Sequence, residues 1–213
     1  MRDPFSAVEA ALSGGLDDTG DESVRIDFDR QQRTGIPEVI YGDSKSDAQV
    51  LMSCTKMLER RPRTIVSRIA IERAESIASS IGLDIRVEQP FAGQTVVLSR
   101  GDARPPMPSG FVGIITAGTS DLPAAGEAAT VISEIGCRVE LVADVGVAGL
   151  HRLVQPLRRI INAGADVIIV AAGMDGALPS VVSGLVDIPV IGLPTSVGYG
   201  VAAGGQAALM TML

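Results

Sequence analysis

Asp166-Val-Ile-Ile-Val-Ala-Ala172 is a run of apolar residues that opens on one carboxylate. Its alternate positions are equally apolar, so a strand built from it has two buried faces, which is typical of a central strand in a parallel sheet. Gly164 precedes the run, and the turn Gly173-Met-Asp-Gly176 follows it. The run therefore predicts a strand that is covered by helices on both sides.

Strands and helices alternate on either side of this run. Short apolar stretches predict three more strands, and segments of helical composition, several of them closed by glycine, lie between them. Four strand–loop–helix units in succession predict an α/β fold, a doubly wound parallel sheet of the flavodoxin-like kind in a three-layer sandwich. The predicted strands are 111–116, 138–142, 166–172 and 188–193, and the predicted helices are 122–135, 150–163, 176–185 and 206–213.

Charge divides the chain into two unlike halves. Residues 1–100 carry 29 charged side chains, whereas residues 101–213 carry 14 and contain no lysine. Three prolines at the join of the halves block both helix and central strand, which indicates a linker. The predicted division is a mobile segment 1–23, a smaller N-terminal α/β domain 24–100, a linker 101–109 and a compact apolar domain 110–213.

The composition excludes several classes of protein. The chain has 213 residues, and its net charge of −7 argues against a nucleic acid as partner, because binding one needs a basic face. Two cysteines do not make a disulfide scaffold, and one histidine does not support a zinc site. No apolar run approaches the ~20 residues that span a bilayer, and the first residues lack the apolar stretch of an export signal. We expect a cytoplasmic protein that does not bind a membrane.

Small or glycine-rich loops follow all four predicted strands of the second half. In a doubly wound sheet, the loops at the carboxyl ends of the strands form the ligand crevice. Their backbone N–H groups and the helix N-termini behind them suit an anionic ligand such as a phosphate. Neither a GxxxxGK[ST] loop nor a GxGxxG fingerprint is present. The loops are 117–121, 144–149, 172–176 and 194–205.

Polar residues in the first two loops allow a structural and a functional interpretation. Thr119 or Ser120 either caps the following helix or presents a hydroxyl beside Asp121 at the mouth of the crevice. A single histidine is usually structural or solvated. At the opening of a helix, however, His151 would stand near Asp144, and the two would make proton transfer available near neutral pH.

Asp175 and the two cysteines are the remaining reactive side chains that we considered. Asp175 lies between glycines after the most apolar strand, where it is either a helix cap or a functional carboxylate. Cys54 falls in a predicted helix and Cys137 at the start of a strand. A buried thiol is inert unless its thiolate is stabilised, so neither is the expected nucleophile.

Taken in order, these loops resemble the LarB family, the carboxylases of nickel-pincer cofactor biosynthesis, and more distantly the PurE family of aminoimidazole ribonucleotide (AIR) carboxylases and mutases. The resemblance covers about residues 30–213, and five ordered motifs make it far more specific than any single loop. The motifs are Gly35-Ile-Pro-Glu-Val-Ile-Tyr-Gly42, Gly113-Ile-Ile-Thr-Ala-Gly-Thr-Ser-Asp-Leu-Pro123, Asp144-Val-Gly-Val-Ala-Gly-Leu-His-Arg152, Ala172-Gly-Met-Asp-Gly-Ala-Leu-Pro-Ser180 and Pro189-Val-Ile-Gly-Leu-Pro-Thr-Ser-Val-Gly-Tyr-Gly200.

The resemblance implies an enzyme that carboxylates the pyridinium ring of nicotinic acid adenine dinucleotide with CO2 or bicarbonate and hydrolyses its phosphoanhydride to release AMP. An electron-poor ring attacks CO2 only after a thiolate has added to it. In the family that cysteine lies in an Asn-Ser-Cys-Ala-like segment beyond the position of Leu213. We therefore expect a truncated chain that lacks the last strand of the sheet and is inactive by itself. The resemblance also implies no tightly bound cofactor, assistance by Mg²⁺, and a homo-oligomer, an octamer, which the low charge of the second half favours.

By position, the resemblance assigns two groups of residues to the site. Candidates for proton transfer, for positioning the attacking water or for holding Mg²⁺ are Asp144, His151 and Asp175, the last standing where the family usually has glutamate. Which of them would hold the metal stays unassigned. The substrate-binding residues are Gly118, Thr119, Ser120 and Asp121 for phosphate or ribose, Thr195, Ser196, Gly198, Tyr199 and Gly200 for closure over the nucleotide, and Gly173, Met174, Gly176, Pro194 and Lys45 around them.

Two other functions stay open. PurE-like carboxylation of an aminoimidazole ribonucleotide needs no thiolate, because its ring carbon is already nucleophilic. PurE proteins, however, carry Ser-Ala-His-Arg-Thr-Pro after their second strand, where this chain has residues 144–152, and they lack the N-terminal half. A non-catalytic remnant would keep the crevice and bind a nucleotide without reacting.

Overall fold

The computed structural model describes residues 5–6, 24–82 and 84–213, and it divides into two compact units. The N-terminal unit comprises Met1–Glu88 and Val96–Arg104, and the C-terminal unit comprises Gln89–Thr95 and Pro105–Leu213. The boundary after Arg104 falls inside the predicted linker, whereas residues 89–95, expected in the smaller domain, belong to the C-terminal unit. The predicted mobile segment 1–23 lies outside the described residues, apart from Phe5 and Ser6.

A four-stranded mixed sheet forms the centre of the N-terminal unit. Its elements are α1 (Arg30–Thr34), β1 (Val39–Tyr41), α2 (Asp47–Arg60), β2 (Arg63–Ser67), α3 (Ile71–Ile81), β3 (Ile85–Glu88) and β4 (Val96–Arg100). The strand order is β1-β2-β4-β3, with β1 parallel to β2 and the other two pairs antiparallel. Helices α2 and α3 bury apolar side chains such as Val50 and Ile77 against this sheet, where they share one core with Leu98 of β4.

The composition predicts a helix over residues 44–59, and helix α2 begins three residues later than that. The Ser46 hydroxyl accepts the backbone N–H of Gln49 at 3.3 Å, and the Gln49 side-chain oxygen accepts the backbone N–H of Ser46 at 3.0 Å. This reciprocal pair satisfies two N–H groups that the first turn would otherwise leave unbonded. The helix therefore starts at Asp47, and Lys45 stays in the loop that precedes it.

A four-stranded parallel sheet forms the centre of the C-terminal unit. Its elements are β5 (Gly110–Thr116), a 3₁₀ turn (Thr119–Asp121), α4 (Leu122–Glu134), β6 (Cys137–Val142), a 3₁₀ turn (Val147–Gly149), α5 (His151–Asn162), β7 (Val167–Ala172), α6 (Leu178–Ser183), β8 (Val190–Pro194), a 3₁₀ segment (Gly200–Gly205) and α7 (Gln206–Met212). The strand order β6-β5-β7-β8, parallel throughout, is the doubly wound order of flavodoxin-like folds. The predicted fold class is confirmed.

Helices cover both faces of this parallel sheet. One face packs Phe111, Ile115 and Ile168 with α5 and α6, and the other packs Val112 and Ile114 with α4. Successive residues of β5 thus point to opposite apolar layers, as a central strand requires. Within the described ranges, no helix is long and apolar enough to cross a bilayer.

Two local predictions differ from the structure. Helix α6 is confined to Leu178–Ser183 rather than 176–185, because Gly176 has φ +63° and left-handed backbone does not begin a helix. Strand β1 was not predicted, because three residues are too few to display an alternating pattern. It forms through its parallel pairing with β2, a contact that no local pattern reveals.

Candidate active site

The loops that follow β5, β6, β7 and β8 touch one another at the carboxyl edge of the parallel sheet. The Thr195 hydroxyl, after β8, donates to Asp121 Oδ1, after β5, at 2.6 Å. The Met174 N–H, after β7, donates to the carbonyl of Val197 at 2.7 Å. A side chain at Gly146, after β6, would lie 2.7 Å from the Ala117 carbonyl oxygen, so those two loops are in close contact as well. The four loops predicted to form a crevice are thus one continuous cluster.

Asp121 is buried, and both of its carboxylate oxygens are hydrogen-bonded inside the protein. Oδ2 accepts the Gly118 N–H at 2.9 Å, and Oδ1 accepts the Thr195 hydroxyl. Three residues predicted to hold substrate therefore bind each other, and Asp121 is only 3% exposed. Asp121 also takes the N-cap position of α4 that the sequence gives to Thr119 or Ser120, which instead lie exposed at the crevice.

Thr116, the last residue of β5, connects this loop to the one after β6. Its buried hydroxyl donates to the Gly118 carbonyl at 2.7 Å and accepts the Asp144 N–H at 3.3 Å. Asp144 adopts φ +61°, in the left-handed region that residues other than glycine rarely enter. Such backbone persists where its surroundings hold it, and it is frequent at functional sites.

The carboxylate of Asp144 pairs with Arg152 rather than with His151. Arg152 Nη1 lies 2.5 Å from Asp144 Oδ2, across the gap between the β6 loop and the first turn of α5. The guanidinium also lies directly against Gly149, where a Cβ would be 2.6 Å from Nε. His151 is exposed at the start of α5. The structure therefore brings the expected carboxylate to an arginine and leaves the imidazole facing solvent.

Close backbone contacts shape the loop after β7. A side chain at Gly173 would lie 2.2 Å from the Val197 carbonyl oxygen, and one at Gly176 would lie 2.8 Å from the backbone of Ala208. Met174 adopts φ +54°, a second left-handed residue at this edge of the sheet. Asp175 is exposed and does not cap α6, whose N-cap residue is Ala177. It is the crevice carboxylate that remains accessible in this loop.

The loop after β8 presents several of the predicted residues to solvent. Pro194 ends the strand, and Ser196, Tyr199 and Gly200 are exposed beyond it. Gly198 approaches the Ala202 carbonyl so closely that a Cβ there would lie 2.5 Å from its oxygen. This part of the loop is thus folded back on itself.

Lys45 belongs to the N-terminal unit, unlike every other predicted site residue. Its carbonyl accepts a hydrogen bond from Arg73 Nη2 at 2.7 Å. Arg73 Nη1 also donates to the Gly42 carbonyl at 2.9 Å, and Nε contacts the Asp47 carboxylate at 2.7 Å. One arginine therefore fixes the loop between β1 and α2.

Neither cysteine of the sequence is placed for nucleophilic attack at the crevice. Cys54 is buried in α2, and burial raises the pKa of its thiol to about 12. Cys137 is the first residue of β6, so it lies at the end of the strands opposite the crevice. That neither cysteine is the nucleophile stays a prediction.

The crevice offers no ready-made metal site among the residues that the structure describes. No three His, Cys, Asp or Glu side chains in those ranges lie close enough together to hold a metal ion. Asp121 and Asp144 are already bonded to partners inside the protein. The residues present therefore do not fit a Mg²⁺ ion held by the protein alone.

Comparison with known proteins finds matches over both units. The family described as LarB/PurE-like N-terminal domain matches residues 17–86, and the family described as AIR carboxylase matches residues 111–213. An uncharacterized protein of Methanocaldococcus jannaschii is 38% identical over 199 residues, which cover 91% of this chain and 75% of that protein.

Two further relatives match less of the chain. An N5-carboxyaminoimidazole ribonucleotide mutase of Pyrococcus horikoshii is 35% identical over 84 residues, covering 39% of this chain and 48% of the mutase. A phosphoribosylaminoimidazole carboxylase of Schizosaccharomyces pombe is 34% identical over 93 residues, covering 44% of this chain and 17% of the carboxylase. This chain therefore matches about half the length of the mutase and a smaller part of the carboxylase.

The C-terminal unit has a parallel sheet in the order β6-β5-β7-β8 with a glycine-rich crevice at its carboxyl edge, and the AIR carboxylase match identifies it as a PurE-like domain of the carboxylase and mutase class. The N-terminal match shows that a LarB/PurE-like first domain precedes it in the same chain. The chain belongs to the LarB/PurE-like family, as the resemblance of its motifs implies.

Sequence reasoning did not single out Thr116 and gave no role to Arg152. Thr116 ends an otherwise apolar strand, and only its hydrogen bonds to the loops after β5 and β6 show that it has a role. Arg152 had a usable signal, because it is one of four arginines after residue 105 and directly follows His151 in a motif already noted.

Proposed function

We propose that this protein binds nicotinic acid adenine dinucleotide and takes part in carboxylating its pyridinium ring, with hydrolysis of the phosphoanhydride. The observation that carries this proposal is the pairing of a LarB-type N-terminal domain with an AIR carboxylase domain in one chain. The M. jannaschii relative, which matches 91% of this chain, supports reading both parts as one protein.

Carboxylation of the pyridinium ring requires a thiol. A thiolate adds to the pyridinium ring and makes an enamine carbon, which attacks CO2; loss of the ring proton and departure of the thiolate then restore aromaticity. Water attacks the phosphoanhydride in a separate step and releases AMP. Cys54 and Cys137 do not supply this thiol, for the reasons of burial and position given above. We infer that the 213 residues bind the dinucleotide and that the ring-activating thiol is not among them.

Exposed groups of the crevice are the ones we assign to substrate. The hydroxyls of Thr119, Ser120 and Ser196 are accessible to phosphate or ribose. His151 and Asp175 remain available for proton transfer or for positioning the attacking water. Assistance by Mg²⁺ stays a prediction.

Calorimetric titration tests the binding half of the proposal. Nicotinic acid adenine dinucleotide should bind, and AIR should not. Ser196→Ala should weaken binding several-fold, as expected for one lost hydrogen bond to the ligand. Ser183→Ala is the matched control, because Ser183 is an exposed serine on α6 whose hydroxyl bonds to the Ser180 carbonyl. Binding of AIR in place of the dinucleotide would refute the assignment.

Incorporation of labelled bicarbonate tests the chemical half. The protein alone should not carboxylate the bound dinucleotide, whereas a small thiol such as 2-mercaptoethanol, supplied in excess, should restore measurable incorporation. Incorporation without any added thiol would overturn the inference about the missing sulfur. Binding with no incorporation under either condition would favour a nucleotide-binding protein without catalysis.

PurE-like chemistry on an aminoimidazole ribonucleotide is the second candidate. It is favoured by N5-carboxyaminoimidazole ribonucleotide mutases that are 34–39% identical over 82–84 residues. That chemistry needs no thiol, so it would account for activity without an added sulfur. The titration with AIR decides between the two.

A further inference from the structure

Thr116 is the one residue of β5 with a polar side chain, and it is completely buried. Its hydroxyl donates to the Gly118 carbonyl at 2.7 Å and accepts the Asp144 N–H at 3.3 Å. Valine has the same branched shape and also suits a strand. What the hydroxyl adds at this position is therefore these two bonds to the crevice loops.

Gly118 is held inside the protein by both of its backbone groups. Its N–H donates to Asp121 Oδ2 at 2.9 Å, and its carbonyl accepts the Thr116 hydroxyl and, at 3.2 Å, the Asp121 N–H. The peptide group between Gly118 and Thr119 is planar and trans, so its N–H points away from its carbonyl. Because the carbonyl is directed at a buried hydroxyl, the Thr119 N–H is directed toward the exposed side of the loop.

The backbone of Thr116 makes a separate connection to the loop after β6. Its carbonyl accepts the Val145 N–H at 3.1 Å. This bond does not involve the side chain, so a substitution that removes the hydroxyl leaves it in place. The role of the hydroxyl can therefore be tested without opening the sheet at this point.

We propose that Thr116 is a positioning residue of the crevice, whose hydroxyl fixes the Gly118–Thr119 peptide so that the Thr119 N–H donates to an anionic group of the substrate. A donor that is held in place before the ligand arrives binds it without a cost of reorganisation. The start of α4, just beyond this loop, adds a partial positive charge. The inference rests on the proposed function in requiring a phosphorylated substrate at this crevice, and both candidate substrates carry a phosphate.

Pairs of ligands that differ by one phosphate test the inference. Nicotinic acid mononucleotide and nicotinic acid riboside form one pair, and AIR and its riboside form the other. In calorimetric titrations of the full chain, Thr116→Val should bind the phosphorylated ligand roughly ten- to hundredfold more weakly than the wild type, as expected for loss of a hydrogen bond to a charged group. The riboside should bind both proteins equally. Thr116→Ser keeps the hydroxyl and should restore the affinity for the phosphorylated ligand.

Thr130→Val is the matched control. Thr130 is a completely buried threonine of α4 whose hydroxyl donates to the Gly126 carbonyl at 2.8 Å. It lies about 12 Å along the helix from the end that faces the crevice. The same substitution there should lower the melting temperature without changing the affinity for either member of a pair.

Each outcome of the titrations decides something. Undiminished binding of the phosphorylated ligand by Thr116→Val would overturn the inference, and so would equal losses for the phosphorylated ligand and the riboside, which indicate a general structural role. If the nicotinate ligands do not bind and the AIR pair shows the expected pattern, the inference holds and the proposed dinucleotide function fails. A wild-type protein that binds neither phosphorylated ligand would contradict both.

Discussion

Asp121 joins two loops through its two carboxylate oxygens, one bonded to the Gly118 N–H and the other to the Thr195 hydroxyl. The side chain is almost completely buried, so each of these bonds replaces water that the carboxylate would otherwise keep. The pair crosses 74 residues of sequence and ties the end of β5 to the end of β8. The shape of the crevice therefore depends partly on residues that the sequence predicts to bind the substrate.

The Thr195→Val variant measures how much the hydrogen bond between Thr195 and Asp121 contributes to stability. The valine keeps the shape of the threonine but leaves Asp121 Oδ1 buried without its partner, which should destabilise the protein by about 2–3 kcal/mol. Thr195→Ser keeps the hydroxyl and should lose far less. Chemical denaturation of the three proteins gives the comparison. A valine variant as stable as the wild type would show that water reaches the carboxylate.

At the scale of single residues, the sequence predicted where polar groups stand but not what they bond. Thr119, Ser120, Asp121 and Thr195 were all placed in the crevice loops, as the structure has them. Which of them face the ligand depends on contacts between loops that are distant along the chain, such as Asp121 with Thr195. No local spacing encodes such a contact.

Helix α4 contains a glycine whose role comes from the segment packed against it. A Cβ at Gly126 would lie 1.7 Å from the carbonyl oxygen of Ala92, in residues 89–95 of the same unit. Phe91 of that segment packs on the apolar layer formed by β5 and α4. Glycine thus allows a backbone segment to approach the helix more closely than any side chain would permit.

Gly126→Ala should destabilise the protein although alanine favours helix by about 1 kcal/mol. The methyl group meets backbone, which cannot rotate away as a side chain does, so we expect a net loss of about 1–3 kcal/mol in the free energy of unfolding. Gly184→Ala is the matched control, since a Cβ there meets its nearest atoms at an ordinary 3.6 Å. Thermal melts that rank Gly126→Ala at or above wild type would contradict the close contact.

Among the elements, long periodic segments were predicted well and short ones poorly. Strands β5 and β7 and helices α4 and α5 agree with prediction to within two residues, because two-sided burial and glycine stops mark them. Strand β1 and helix α1 were missed, and α6 was predicted too long. These elements depend on a neighbouring strand or on a left-handed glycine, neither of which leaves a periodic pattern.

At the scale of the whole molecule, we expect low pH to reduce stability, because protonation of Glu88 weakens its bonds within the N-terminal unit. Burial raises the pKa of this carboxyl, but hydrogen bonds from Arg63 and Ser99 outweigh burial and lower it below its ordinary 4.5. A lowered pKa means that the stabilisation is complete above about pH 5 and disappears as pH falls through the folded-state value. Arg63 also donates to the Ala103 carbonyl at 2.6 Å, so the cluster ties β2 to β3 and to the chain after β4.

Glu88→Gln tests that dependence. The variant should be less stable than the wild type at pH 7, and the difference should shrink as the pH falls below the ordinary carboxyl pKa of 4.5. Glu75→Gln, at an exposed carboxylate on α3, provides the control. Urea titrations at several pH values supply the measurement, and a difference that stays constant with pH would rule out the mechanism. The homo-oligomer and the cytoplasmic location remain predictions.

The C-terminal unit is assembled from two separate stretches of chain, Gln89–Thr95 and Pro105–Leu213. A protease that nicks the polypeptide near residue 104 would thus leave one piece of that unit attached to the other fragment. A recombinant fragment that starts at residue 105 would lose the cover of Phe91 and expose the apolar layer beneath it. Such a fragment should bind the dye ANS and precipitate unless a peptide spanning 89–95 is supplied. Isolating the C-terminal unit therefore calls for a circularly permuted chain rather than a truncated one.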